Sequence, residues 1–340
     1  KIHHFVSDGI GNEILWPLSM PPLIKSEDEI PIAKFGSSNE GQFKSLYRYG
    51  LSKRYGRLMQ AISGFHFNFS LPEKIWSNKG LIKNESSIEL RSETYFSMMR
   101  NIYSLNWIFI YLFGASPAIS KNFVKNGKDS FTNCSNNICF LPYATSLRMS
   151  EYGYCNLDRK KAFVSINSLA EYIHDLRKAT MTADDEFSLI SSQNSQLNKN
   201  KLQIEDEYYA VARAKSSNIR YRRTSSKLLN GGVDFIETRT LDLDPFSRHG
   251  LSAESSYFLE VFMLYCLINV SKKFDKDELN KINQNDLLVS KFGRDPKLKL
   301  TRNEQKISVK DWGLEVLDGM VAIAEELDCN NNKYTNMIKS

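Results

Sequence analysis

The chain has 340 residues, of which 25% are charged and 41% hydrophobic, and a formal net charge of +6. These values exclude wholesale disorder, and the mild positive excess suits an anionic ligand: a nucleotide, a dicarboxylic acid or nucleic acid. The longest apolar run, Trp107 to Phe113, is too short for a membrane span, and five cysteines without a Cys-x-x-Cys pair read as reduced thiols of a cytoplasmic protein.

In chain order, Trp16-Pro17-Leu18-Ser19-Met20-Pro21 carries two prolines and predicts an extended connection. Glu40 to Ser63 has Leu46, Tyr47, Leu51, Tyr55 and Leu58 at helical spacing and predicts a helix broken or bent at Gly50 and Gly56. Phe65, Phe67, Phe69 and Leu71 alternate with Gly64, His66, Asn68 and Ser70, which predicts a half-buried strand with aromatics inward and polar groups facing a cleft. A helix should run from about Ser92, bury Tyr95, Met98, Met99 and Ile102, and stop near Gly114 and Pro117.

Ser168 to about Lys178 reads as an amphipathic helix, and Ser191 to Lys201 as a loop or hairpin tip. Leu202 to Arg213 alternates like a strand, with Glu207, Tyr209 and Arg213 on one face, and a basic loop from Arg213 to Lys227 follows. Helices at about 255–270 and 312–327 complete the series. With no linker and no repeat period, the pattern is one continuous α+β domain with helices on one side of a curved sheet.

The stretch Gly231 to Phe246 is the most informative. Counting by twos from Val233 aligns Val233, Phe235, Glu237, Arg239, Leu241 and Leu243, so an acid and a guanidinium interrupt an apolar row. Ions taken from water need compensation. Either the two bridge each other, or they meet a metal, a phosphate or a substrate carboxylate. A carboxylate suits magnesium and arginines suit phosphoryl oxygens, which together fit ATP-dependent phosphoryl transfer. There is no Walker A loop and no Gly-x-Gly-x-x-Gly after a strand, which argues against a P-loop or Rossmann site. His66 alone reads as hydrogen-bonded structure or as a ligand, and the basic run as a solvated loop or a nucleic-acid surface.

Several ordered blocks resemble the bacterial type of glutamate-cysteine ligase. They are Leu-Trp-Pro-Leu-Ser-Met-Pro at 15–21, Phe-Gly-Ser-Ser-Asn at 35–39, Phe-Lys-Ser-Leu-Tyr-Arg at 43–48 and Ser-Gly-Phe-His-Phe-Asn-Phe-Ser-Leu-Pro at 63–72. Tyr-Leu-Phe-Gly-Ala-Ser-Pro-Ala at 111–118, Leu-Pro-Tyr-Ala-Thr-Ser-Leu-Arg at 141–148, Leu-Gln-Ile-Glu at 202–205, Ile-Glu-Thr-Arg at 236–239 and Asp-Pro-Phe-Ser at 244–247 continue the series.

The resemblance implies a glutamine-synthetase-like fold, an antiparallel sheet curved into a funnel and backed by helices. It implies a cytoplasmic, monomeric enzyme of glutathione biosynthesis that uses ATP and Mg2+ to join L-glutamate to L-cysteine, with no nucleic-acid or membrane partner. Carried over by position, Glu237 and His66 would meet magnesium, and Arg239 and Arg48 the phosphoryl group. Arg148 would meet a substrate carboxylate or phosphate, while Tyr47, Leu51, Gln60, Tyr154 and Tyr209 would form the cysteine pocket. Residues 1–340 are expected to be a single catalytic domain that lacks the family's N-terminal strands, with their extra carboxylates, and part of its C-terminal region. An inactive remnant of such a ligase is the alternative.

Overall fold

The computed structural model describes residues 1–76, 87–124, 131–133, 137–153, 162–190, 195–329 and 331–340. A short helix α1 (Ile2–Gly9) buries none of its residues. Helix α2 (Asn39–Tyr55) begins at Ser38, whose hydroxyl accepts from the Gly41 amide, a favourable N-cap. It passes unbroken through Gly50 and ends at Gly56, whose φ of +83° suits glycine. The single predicted helix to Ser63 is therefore a helix, a glycine stop and one 3-10 turn at Leu58–Ala61.

Strand β1 (Phe65–Phe69) alternates as expected, and α3 (Glu73–Trp76) is a single turn. Helix α4 (Ser87–Leu112) is the spine of the molecule: Tyr95, Met98, Met99 and Ile102 are fully buried along one stripe. It stops before Gly114, where a Cβ would fall 2.4 Å from the Ile110 carbonyl. Strands β2 (Ala118–Ser120), β3 (Thr132–Asn133) and β4 (Ile138–Phe140) form a small antiparallel sheet in the order β2-β4-β3.

Helices α5 (Leu169–Met181) and α6 (Asp185–Ser188) precede β5 (Ala212–Lys215), α7 (Thr224–Gly231) and β6 (Phe235–Leu241). The predicted strand from Leu202 is corrected, because only its last residues pair and Glu205–Glu207 form a 3-10 turn. Two side chains pull that segment out of extension. Glu205 turns to accept from the amide and hydroxyl of Ser225 in the first turn of α7, both at 2.6 Å, and Glu207 turns inward to Arg54.

The C-terminal part holds α8 (Ala253–Ile268), α9 (Lys276–Phe292), the hairpin β7 (Lys299–Arg302) and β8 (Gln305–Ser308), α10 (Val309–Leu327) and α11 (Lys333–Lys339). Helix α9 starts with a capping box from Asp275 and Glu278. The hairpin turns through Asn303 and Glu304, both with positive φ.

The main sheet is antiparallel in the order β1-β6-β5. Phe67 pairs with Thr238, Phe69 with Ile236, Ala212 with Thr238 and Ala214 with Ile236, so these side chains share the face packed on α4. Asn68 and Arg213 flank Glu237 on the other face. This corrects the expected apolar row. Glu237 and Arg239 lie on the open face, while Ile236, Thr238 and Thr240 are buried. A bulge opposite Phe65 and Phe67 then brings Leu241 inward, fully buried. The fold is thus mixed helix and antiparallel sheet, with the core running between the main sheet, α4, α8, α9 and α10.

Candidate active site

The polar face of the main sheet, the second half of α2 and the turn after it enclose a cleft of about 480 Å³. Tyr47 and Arg48 enter from α2, Gln60 from the turn, His66 from β1, Arg239 from β6, and Arg148 and Tyr209 from connecting segments. Gly56 makes this meeting possible by reversing the chain, so that Arg48 Nη1 reaches Gln60 Oε1 at 3.3 Å. Leu51 does not line the cleft; it is buried, 1% exposed. Tyr154 lies outside the described residues.

Asp206, Met149, Arg213 and Lys215 also line the cleft, and sequence reasoning had assigned none of them to it. Arg213 and Lys215, read as the start of a basic loop, belong to β5. Their alternation with Ala212 and Ala214 was the available signal. Arg213 is 7% exposed, and its Nη2 donates to the Asp206 carbonyl while its buried Nε has no hydrogen-bond partner among the described residues.

Arg239 Nη1 donates to Glu237 Oε1 at 2.7 Å, and its guanidinium carbon lies 6.0 Å from the centre of the Tyr209 ring. Burial pushes the Glu237 carboxyl up, but the bond from Arg239 and the charge of Lys215 outweigh it and leave the group below its ordinary value. Burial, then the neighbouring Arg213, weakens the hold of Arg239 on its proton. Burial and the charge of Arg239 also hold His66 below its ordinary value. Burial, then Glu207, raises the Tyr47 phenol well above its usual range, which keeps its hydroxyl protonated. The cleft is cation-rich, a field suited to an anion.

Arg148 lines the cleft and is also tied into the fold. Its Nε donates to Asp242 Oδ1 at 2.6 Å, and Nη2 donates to the carbonyls of Arg239, Thr240 and Leu241. It therefore anchors the end of β6. Gly64 leaves room for it, since a Cβ there would sit 2.7 Å from Nη1. Asp242 also accepts from the Ser116 hydroxyl and the Ala115 amide.

Magnesium does not fit the described residues as a self-sufficient cage. Among them no three His, Cys, Asp or Glu side chains converge to hold a metal, and the Glu237 carboxylate already accepts from Arg239. A larger cavity of about 730 Å³ adjoins the cleft through Asp206 and is lined by Phe43, Met181 and Arg222 among others; it contains none of the expected site residues.

The family model for glutamate-cysteine ligase matches residues 1–289. The chain belongs to this family. Glutamate–cysteine ligase of Shewanella amazonensis is 41% identical over 342 aligned positions, covering 98% of this chain and 65% of the relative. The Pseudomonas putida ligase is 40% identical, covering 96% and 64%. The crystal structure of the Francisella tularensis ligase in complex with AMP superposes with a TM-score of 0.87 at 37% identity, over 95% of this chain and 64% of that one. A bifunctional glutathione synthetase from Pasteurella multocida, TM-score 0.73 at 23% identity, shares the fold. The chain spans just under two thirds of the length of the ligases it matches.

Proposed function

We propose that the cleft joins L-glutamate to L-cysteine at the expense of ATP, the first step of glutathione biosynthesis. The carrying observation is the convergence of Arg48, Arg213 and Arg239 with Tyr47, Gln60 and Tyr209 around one cleft in a chain of this family. A carboxylate is a poor acyl donor until one oxygen becomes a leaving group. The γ-carboxylate oxygen of glutamate attacks the γ-phosphorus of ATP and ADP departs. The cysteine amine then attacks the acyl carbon, loses a proton, and inorganic phosphate leaves.

The arginines supply what both steps need, fixed positive charge beside phosphoryl oxygens in a partly dry site. Tyr47, Gln60 and Tyr209 suit the amine acceptor, with rings beside a small thiol side chain and polar tips for its amine and carboxylate. Leu51 would support that wall. Magnesium accompanies ATP in such transfers, and here Glu237, near His66, is the carboxylate of the polar face that can meet it. Glu237 would offer it the oxygen that does not accept from Arg239, and with a single carboxylate charge compensation would rest chiefly on the arginines. The same reading takes the 340 residues as one catalytic domain of the curved-sheet, glutamine-synthetase-like type, a cytoplasmic monomer.

The test is ADP release. It should require ATP, L-glutamate and L-cysteine together, and ammonia should replace cysteine poorly. Equal rates with ammonia would favour a ligase of the glutamine-forming kind.

A further inference from the structure

Arg54 and Glu207, neither of which lines the cleft, form an ion pair close enough to act on Tyr47. Arg54 Nη1 donates to Glu207 Oε1 at 3.2 Å, and both side chains are fully buried. The Tyr55 hydroxyl donates to the same oxygen at 2.9 Å, and the Gln203 backbone N–H donates to Oε2 at 2.6 Å. Arg54 also donates to the carbonyls of Asn198 and Asn200 and lies over the Phe187 ring, 4.2 Å from its centre. Burying two charges is costly, and a well-packed apolar pair of similar volume can serve stability as well. What the ions add is direction, because every bond fixes an orientation.

The groups so oriented flank the pocket. Tyr47, Gly50 and Arg54 follow one another at three- and four-residue spacing along one face of α2. Glu207 stands two residues before Tyr209. Between them the Gln203 side chain presses on Gly50, where a Cβ would lie 2.1 Å from its Oε1, and reaches the Tyr47 carbonyl with Nε2 at 3.5 Å.

We propose that Arg54, Glu207 and Gln203, seated against the bare Cα of Gly50, form a clamp that fixes Tyr47 relative to Tyr209 and thereby sets how tightly the cleft holds its amine acceptor. These are positioning residues, and the inference rests on the reading that Tyr47 and Tyr209 receive L-cysteine. Glutamate and ATP meet Arg213 and Arg239 on the sheet, and Arg48 is held by Gln60 outside the clamp, so the clamp should leave them largely unaffected.

Gly50→Ala tests this in the full chain. Alanine is the better helix former, but its Cβ would meet Gln203, so a glycine needed only for packing predicts a lowered melting temperature with unchanged kinetics. The clamp predicts that Gln203 is displaced and KM for L-cysteine rises about 10-fold, while kcat and KM for L-glutamate and ATP stay within about 2-fold. An unchanged KM for L-cysteine, or a common rise in all three, would overturn it.

Glu207→Gln adds a readout that needs no turnover. Amide hydrogen exchange should accelerate at residues 47–55 and 208–215 together; acceleration in only one segment would overturn the clamp. If the unaltered chain releases no ADP with ATP, L-glutamate and L-cysteine, the ligase reading fails, and the exchange experiment still decides whether the clamp exists.

Discussion

From the side of α4, strands β1, β6 and β5 present Phe67, Ile236, Thr238 and Ala214; from the side of α2 the same strands present His66, Asn68, Glu237, Arg239 and Arg213. One backbone thus serves two tasks. The α4 face, with Ile236, Ala212 and Ala214 fully buried, fixes where the strands run. The opposite face can then hold like charges at close range, because the strands cannot relax apart to relieve them. Difference in burial, more than difference in secondary structure, separates scaffold from chemistry.

The comparison can be broken by exchanging effects between the faces. The largest effect is expected at the rim that joins them. Asp242→Asn leaves Arg148 buried without its carboxylate, and urea unfolding should report a loss of about 3–5 kcal/mol. A loss below about 1 kcal/mol would mean that the carbonyls of β6 hold the guanidinium unaided.

Next comes Arg239→Ala, where ADP release should fall about 100- to 1000-fold, on the order of 3–4 kcal/mol of transition-state stabilisation. The stability lost should be smaller than for Asp242→Asn, because the pair with Glu237 is more open, at 20% and 13% side-chain exposure against 3% and 0%. Ile236→Val should do the reverse, costing about 0.5–1.5 kcal/mol of stability with turnover intact. If Ile236 governed turnover and Arg239 governed stability, the division between the faces would be wrong.

The smallest effect is a pH slope. His66 titrates below its usual 6.5 because burial and Arg239 disfavour the charged ring. The unfolded chain therefore binds the proton first, and the stability that His66 contributes is present above the unfolded value and lost as pH falls through the folded one. Urea midpoints should decline as the solution is acidified below the histidine range, and His66→Asn should flatten that decline. A slope unaltered by the substitution would assign it to other groups.

How much of this was legible depended on where hydrocarbon pointed. The stripe of α4 and the aromatic alternation of β1 were read from sequence because burial there is apolar. Helix α9 was not, since its buried positions include Asn285, Asp286 and Ser290. Asn285 exchanges hydrogen bonds with the Thr301 backbone and Asp286 accepts from Asn106, contacts that no hydropathy pattern encodes. The strand drawn from Leu202 failed because Glu205 and Glu207 serve partners distant in sequence, Ser225 and Arg54. In the site, Tyr47 and Arg48 came from the block at 43–48 and Gln60 and Tyr209 from the positions the resemblance carried over, whereas Arg213 and Lys215 were hidden by the company of other basic residues.

The bulge in β6 carries a consequence for any attempt to edit this protein. Before it, odd-numbered side chains of the strand look outward; past it, Leu241 looks inward, so the strand keeps two different reading frames for inside and outside. Arg148, gripping the carbonyls of Arg239, Thr240 and Leu241, fastens the point of changeover like a pin through a splice. Removing one of Arg239 and Thr240 would erase the extra residue and leave plain alternation with Thr238 and Leu241 still inward, whereas a deletion elsewhere in the strand would turn one half of it inside out. Grafts that cross this position must therefore carry the extra residue with them or take the strand beyond it in the other frame.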